Sequence, residues 1–195
     1  MHGLWCYFTN GLTNDERDLI LRVSESLPET DGLVSNLQDG SYNLVKNDQT
    51  RRSKIRFIDN NASTELDLIK SKLWMMALKC NRDFFNLNIN SLDFMQVAEY
   101  DESYSGCYTP HHDVFWVTDS IKQRKLTCIV QLDDPEDYDG GEFELIGVPD
   151  SPPKDIIRQK CCVLFFPSFL MHQVKPVTKG KRRSLTCWFE GPCWT

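Results

Sequence analysis

Apolar residues follow two different rhythms along this chain. In the first ninety residues the helical rhythm is the clearer one. Leu19, Ile20, Val23 and Leu27 recur at steps of three and four, the spacing that gathers side chains on one face of a helix. Thr13-Asn-Asp-Glu16 precedes them and has the form of a capping box, with Thr13 as N-cap and Glu16 at the third helical position. A helix is therefore predicted over 14–27. A second is predicted over Ser63–Phe84, which opens on Ser-Thr-Glu and carries Leu66, Leu68, Ile69, Leu73, Met76 and Leu78, with Phe85 just beyond. Its Met75-Met76 pair reads as core packing. Leu4–Phe8 and Ser53–Ile58 read as short strands. Pro28–Thr50 is polar and rich in Gly, Ser, Asn and Asp, so it reads mostly as loop.

From Leu92 onward the rhythm changes to short apolar runs between turn signals. The runs are Phe94–Tyr100, Tyr108–Val117, Leu126–Leu132, Glu142–Ile146, Cys161–Phe166, His172–Val177 and Leu185–Phe189. Breaks fall at Asp101–Ser105, Asp133–Gly141, Pro149–Pro153, Pro167 and Lys179–Lys181. Strands this short and this close together predict a sandwich or jelly roll with helices packed outside it. The expected class is α+β, mainly β: a double-stranded β-helix with supporting N-terminal helices. A single domain over 1–195 is expected, with 1–90 as mixed helical support and 91–195 as the core. Parallel βα alternation is absent from the second half.

Composition narrows the picture. Hydrophobic residues are 41% and charged residues 26% of the 195, a globular balance. A net charge of -6 argues against nonspecific nucleic-acid binding, which needs a cationic surface, though a local basic groove is still allowed. The start of the chain has no signal-peptide pattern, and no window reaches the roughly 18 apolar residues of a membrane span. Eight cysteines occur without a CxxC pair; they read as reduced thiols, many of them in apolar runs, which points to a cytoplasmic protein without membrane attachment. Oligomeric state leaves no mark in the sequence.

The candidate chemistry starts from the four histidines, His2, His111, His112 and His172. His111 and Asp113 form an H-x-D pair in a predicted strand, where alternate side chains share a face. Both can then hold one metal while His112 points away. His172 heads a later strand, and a jelly roll makes such strands neighbours. Two histidines and a carboxylate fit the facial triad of non-heme iron(II) sites. Taken singly, each histidine also reads as an ordinary surface or hydrogen-bonded residue. Ten positions past His172 stands Arg182, whose planar fork suits a bidentate grip on a carboxylate. Lys179 and Lys181 read as a solvated turn. Arg182 and Arg183 are adjacent on a strand, so only one can point inward.

The order of motifs around these residues is specific. Tyr100 is followed by Gly106-Cys-Tyr108-Thr-Pro-His111-His-Asp113; Leu126–Leu132 leads through an aspartate-rich turn to Gly140-Gly141-Glu142; Phe166-Pro167-Ser168 precedes His172; and Val174–Leu185 is followed by Trp188. In this, Phe94–Trp188 resembles the catalytic domain of the prolyl 4-hydroxylase type of iron(II)/2-oxoglutarate dioxygenases. The resemblance implies that His111, Asp113 and His172 bind Fe(II). It implies that Arg182 pairs with the distal carboxylate of the cosubstrate 2-oxoglutarate, with Tyr100 and Thr186 adding hydrogen bonds and Tyr108 close by. Gln131 stands where some relatives have a tyrosine beside the cosubstrate. The implied activity is hydroxylation of a C–H bond, with ascorbate as an accessory reductant. The implied substrate is a prolyl residue in a peptide or protein, and no nucleic acid is expected. Another amino-acid side chain or a free amino acid remains open as substrate, as does a noncatalytic, cupin-like metal-binding role. Phe115, Trp116 and Tyr138 are candidates for a substrate groove or for packing. The loops 28–50 and 133–141 are candidate lids.

Overall fold

The computed structural model describes residues 3–38, 41–59 and 64–194; His2 and Ser63 lie outside them. The first half holds β1 (Cys6–Phe8), α1 (Asn14–Glu25), β2 (Thr30–Asp31), β3 (Val34–Gln38), β4 (Ser41–Val45), β5 (Arg51–Arg52), β6 (Lys54–Ile58) and α2 (Asp67–Cys80). Then follow β7 (Ser91–Asp101), β8 (Cys107–His111), β9 (Lys122–Gln131), β10 (Tyr138–Gly140) and β11 (Phe143–Leu145). The chain closes with α3 (Lys154–Ile157), β12 (Val163–Pro167), β13 (His172–Val174) and β14 (Val177–Pro192).

All pairings are antiparallel. A large sheet runs β1-β12-β9-β14-β7-β6-β2, with β10 also paired to β14. A small sheet runs β11-β13-β8-β5, and β3 with β4 forms a separate ribbon. This is the expected jelly roll. The first ninety residues supply strands to both sheets as well as the two long helices.

The packing follows from strand alternation. On β14, Leu185, Cys187 and Phe189 join Ile20, Leu73, Met95 and Phe165 in a core between the large sheet and the helices. Burying an aromatic such as Phe189 there stabilises the fold by about 1.5–3 kcal/mol. A second core, with Ile55, Ala98, Ile129, Phe143, Phe166 and Val174, lies between the two sheets. The intervening residues Arg182, Ser184, Thr186 and Trp188 face a cavity on that side.

Helix α1 begins as predicted. Thr13 Oγ1 accepts the Glu16 N–H at 3.2 Å, and the Glu16 carboxylate accepts the Thr13 N–H at 2.7 Å. The second helix is less regular than predicted. Its described part opens as a 3-10 turn over Thr64–Leu66 and ends in a π turn over Asn81–Phe85. The Asn81 side chain both donates to Leu87 O and accepts from Leu87 N, each at 2.7 Å, and so replaces the next helical bonds.

Other departures have similar physical causes. Pro28–Thr50 is not mostly loop: β3 and β4 pair over five residues, but only with each other, so no long apolar face announces them. The strand predicted over Tyr108–Val117 stops at His111, because the Asp113 N–H turns to Ser168 O at 2.9 Å. The break predicted at Lys179–Lys181 is absent, and β14 runs through it. There Gly180 has φ 68° and faces Tyr138 of β10, a strand inside the predicted turn Asp133–Gly141. Gly140 and Gly141, at φ 74° and 65°, end that strand in the left-handed region, where a Cβ is strained. A Cβ on Gly141 would also lie 3.1 Å from Arg182 Cδ. Among the described residues no helix is long and apolar enough to cross a membrane.

Candidate metal and cosubstrate site

His111 ends β8, His172 begins β13, and the two are register partners in the small sheet. Their rings sit 4.2 Å apart. His111 Nδ1 lies 2.8 Å from Thr109 O and His172 Nδ1 lies 2.9 Å from Leu170 O. A carbonyl only accepts, so each Nδ1 carries a proton, and Nε2 is the ring nitrogen left to face a metal. Both Nε2 atoms approach Asp113, at 3.9 Å and 3.7 Å. One ligand atom from each of the three residues falls within 4.8 Å of the others. Bonds of about 2.1 Å from a single ion reach ligand atoms about 3–4 Å apart, so a small inward shift of the rings closes the site on a metal.

Electrostatics suit the same use. Burial alone would raise the Asp113 carboxyl, but His172 and His111 beside it prevail and hold it at about 2. Burial pushes His111 down to about 3, and the nearby His172 adds to that. At neutral pH the site thus offers an anionic carboxylate and a neutral His111 imidazole. Thr127 Oγ1 donates to Asp113 Oδ2 at 2.7 Å. Its proton is then used, so Ser168 Oγ, 2.9 Å away, donates to Thr127. These two buried hydroxyls aim the carboxylate. Replacing Thr127 with valine keeps its shape and removes that donor; metal affinity, read by competition with a chelating indicator, is expected to fall about 10–100-fold with the melting temperature nearly unchanged.

His112 is outside the cluster, as expected, but not through strand alternation. It lies beyond the end of β8, where its Nε2 accepts the Trp116 Nε1 proton at 3.2 Å.

The three ligand candidates line one end of a cavity of about 200 Å³, which also takes in Tyr100, Tyr108, Arg182 and Thr186. Arg182 is only 1% exposed. Its Nη2 donates to Gln131 Oε1 at 2.9 Å, while its buried Nη1 has no hydrogen-bond partner. Leaving such a donor unpaired costs about 1–3 kcal/mol, a cost that a carboxylate in the cavity would remove. Arg183 faces the other way and grips the buried Asp133, with Nη2–Oδ1 at 2.6 Å and Nε–Oδ1 at 3.1 Å. Tyr108 stacks on His111 with centroids 3.4 Å apart, under the Arg51 guanidinium at 4.6 Å. Burial pushes its phenol up to about 12, so it stays protonated.

Some predicted residues sit elsewhere. Gln131 does not line this cavity; it braces Arg182 from behind and faces a second cavity of about 230 Å³. Tyr138 is buried under Arg158 at 4.2 Å and belongs to that second cavity, not to a substrate groove. Trp116 is half exposed beside His112, whereas Phe115 does line the main cavity. Leu33, Ser35 and Leu44 bring the 28–50 segment to the cavity wall. The 133–141 segment is fastened instead, by β10 pairing and by Arg158 donating to Tyr138 O and Gly140 O.

Three residues of the site carry no signal in the sequence pattern, Thr127, Arg51 and Arg124, and Ser168 is marked there only as part of the run before His172. Arg124 reaches the cavity through a β-bulge. Phe189 pairs with Leu126 and Glu190 with Arg124, so Lys125 is the extra residue and the facing parity flips there.

A jelly roll that converges two histidines and an aspartate on one point has the form of a non-heme iron site. Residues 95–190 match the family model for the 2OG-Fe(II) oxygenase superfamily, and through this region the chain belongs to that superfamily. Its fold is of the prolyl hydroxylase type. Among solved structures, a viral collagen prolyl hydroxylase from Paramecium bursaria Chlorella virus-1 aligns at TM-score 0.69 and 18% identity, over 97% of each chain. A prolyl hydroxylase from Trichoplax adhaerens, in complex with a hypoxia inducible factor peptide, aligns at 0.67 and 21%, over 95% of this chain and 83% of that one. A PKHD-type hydroxylase from Gloeothece citriformis is 27% identical over 147 residues, 75% of this chain and 61% of its own length. One from Sphingopyxis alaskensis is 26% identical over 142 residues, 65% of this chain and 64% of its own. This chain thus spans less than two thirds of the length of these curated relatives.

Proposed function

We propose that this protein is an Fe(II)- and 2-oxoglutarate-dependent dioxygenase that hydroxylates a prolyl residue in a peptide or protein. The observation that carries the reading is one cavity holding both the His111-Asp113-His172 cluster and a buried arginine with an unpaired nitrogen. In such chemistry, bound iron activates oxygen, and conversion of 2-oxoglutarate to succinate and carbon dioxide supplies the two electrons that hydroxylation of the C–H bond requires. The chain's own residues then have distinct tasks. Arg182 takes the distal carboxylate of the cosubstrate by two parallel hydrogen bonds, while Gln131 keeps its fork in plane. Tyr100 and Thr186 hydrogen-bond the same molecule. Tyr108 holds the His111 ring by stacking on it. Ile55, Ile129, Phe143 and Val174 make the intervening wall apolar and limit water.

The prolyl substrate rests on the likeness to prolyl hydroxylases and on an apolar rim, where Leu33, Leu44 and Phe57 stand exposed beside the cavity. A cytoplasmic setting belongs to the same reading and rests on the cysteine pattern. So does a single domain in which residues 1–90 support a catalytic core over 91–195.

The test is anaerobic addition of Fe(II) and 2-oxoglutarate to the purified protein. A weak visible charge-transfer band is expected, then succinate release on adding oxygen and proline-containing peptides. Absence of the band would sink the oxygenase reading; a band without peptide-stimulated succinate would sink the prolyl substrate alone.

A further inference from the structure

Most arginines of this chain have a carboxylate. Arg17, Arg22, Arg56, Arg82, Arg158 and Arg183 each lie against one. Among the described residues Arg51, Arg52, Arg124 and Arg182 do not; Arg52 donates instead to the backbone oxygens of Asp48, Tyr104 and Ser105, and the other three line the same cavity. Arg182 is accounted for by the cosubstrate. Arg51 and Arg124 are not.

Their placement is built rather than incidental. Arg51 is only 7% exposed. Its Nε donates to Ser53 Oγ at 2.8 Å and its Nη1 to Leu33 O at 3.3 Å. It lies over the Tyr108 ring, which links it directly to His111. Arg124 stacks over Trp188 at 3.8 Å, with Phe115 at 5.2 Å and Phe94 at 5.6 Å. Aromatic contacts occupy the face of a guanidinium and leave its N–H edge free. Of the described acidic residues lining the cavity, Asp113 belongs to the metal cluster and Asp31 is bound by Lys46 and Lys54. Asp93 and Glu190 act on Arg124 through space but do not line the cavity.

The charge count is then one-sided. Bound iron(II) and the doubly charged cosubstrate cancel, and Asp113, which acts on Arg124 through space, offsets one of the three cavity arginines. A net positive charge is left in the cavity, and among the described residues no carboxylate forms an ion pair with Arg51 or Arg124; Asp93 and Glu190 act on Arg124 only from outside the cavity. Cations so placed are costly unless a ligand brings the counter-charge. We propose that Arg51 and Arg124 bind a carboxylate of the substrate, so that the preferred substrate is an acidic peptide with Asp or Glu flanking the oxidised residue. This rests on the oxygenase reading above and names the substrate class within it.

The test uses three proline-centred decapeptides that differ only in carrying Glu, Gln or Lys on both sides of the proline. Binding is read by fluorescence anisotropy on the full chain loaded with zinc(II) and 2-oxoglutarate, which cannot turn over. The Glu peptide is expected to bind at least about tenfold tighter than the Gln peptide, with the Lys peptide weakest. In the R51Q/R124Q double variant the Glu advantage should shrink to within about twofold. Equal binding of Glu and Gln peptides by the wild-type protein overturns the proposal, whatever the variant does to folding. So does an advantage that survives in the double variant, or failure of all three peptides to bind a protein that has bound 2-oxoglutarate. Failure to bind 2-oxoglutarate overturns the oxygenase reading, and the proposal falls with it.

Discussion

Replacing His172 with alanine should lower metal affinity by more than about 100-fold and remove 2-oxoglutarate turnover with it. Losing a partner outside the ligand set typically costs about 10–100-fold, and His172 is a proposed ligand itself. Its imidazole is 4% exposed and packs 4.9 Å from the Phe166 ring and 5.6 Å from Phe143. Alanine would therefore also leave a small cavity, worth about 1–2 kcal/mol of stability. The two effects separate experimentally. Isothermal titration with a divalent metal reads the first, and apo-protein thermal melting reads the second. A glutamine at the same position fills most of the space and should restore the melting temperature without restoring the affinity. Metal affinity within threefold of wild type for H172A would remove His172 from the ligand set.

The second large effect comes from the neighbours Arg182 and Arg183, which should fail in opposite ways. R182A is expected to raise the KM for 2-oxoglutarate about 100-fold, since a charge-assisted, two-pronged contact is lost. Its cost to stability should be moderate, about 1–2 kcal/mol: it abandons the Gln131 amide oxygen, the Tyr100 ring at 5.6 Å and some packing, while the unpaired Nη1 disappears with it. R182K keeps the charge without the fork and should fall between. R183A should leave KM within about twofold but destabilise the fold by about 2–3 kcal/mol. It leaves the Asp133 carboxylate in a 4% exposed site with Arg17, at 3.6 Å, and the backbone N–H of residue 183, at 2.6 Å, in place of the guanidinium. Succinate-release kinetics and urea unfolding check the pair. If both variants shift KM alike, the assignment of Arg182 fails.

What could be read from the sequence divides along a physical line. His111, Asp113, His172 and Arg182 were legible because their residue types are rare in this chain and their order is specific. The helix α1 was legible because Thr13 and Glu16 cap it locally. Thr127 was not, because its value lies in one contact with Asp113; Ser168 stands in a legible motif, but its role lies in a contact with Thr127 on the neighbouring strand. Arg124 was hidden by the bulge at Lys125, since a strict two-residue alternation assigns it to the opposite face from Thr127 and Ile129. The β3–β4 ribbon was hidden because its strands satisfy their backbone with each other and need no apolar stripe. His112 lies outside the cluster because the chain turns beyond β8, before strand alternation applies.

The unbroken strand β14 carries a consequence for how this chain can vary. It lays Arg182, Ser184, Thr186 and Trp188 along the cavity in steps of about 6.6 Å, two residues of rise each, while Arg183 anchors to Asp133 on the opposite face. Shifting the strand by a single residue would exchange every inward side chain for its outward neighbour. Descendants of this chain should therefore tolerate substitutions in β14 far better than length changes. One-residue insertions or deletions should be purged between Pro176 and Trp188. They should accumulate instead near Gly147, where a Cβ meets no atom within 4 Å, and in the exposed stretch around Asp150 and Ser151.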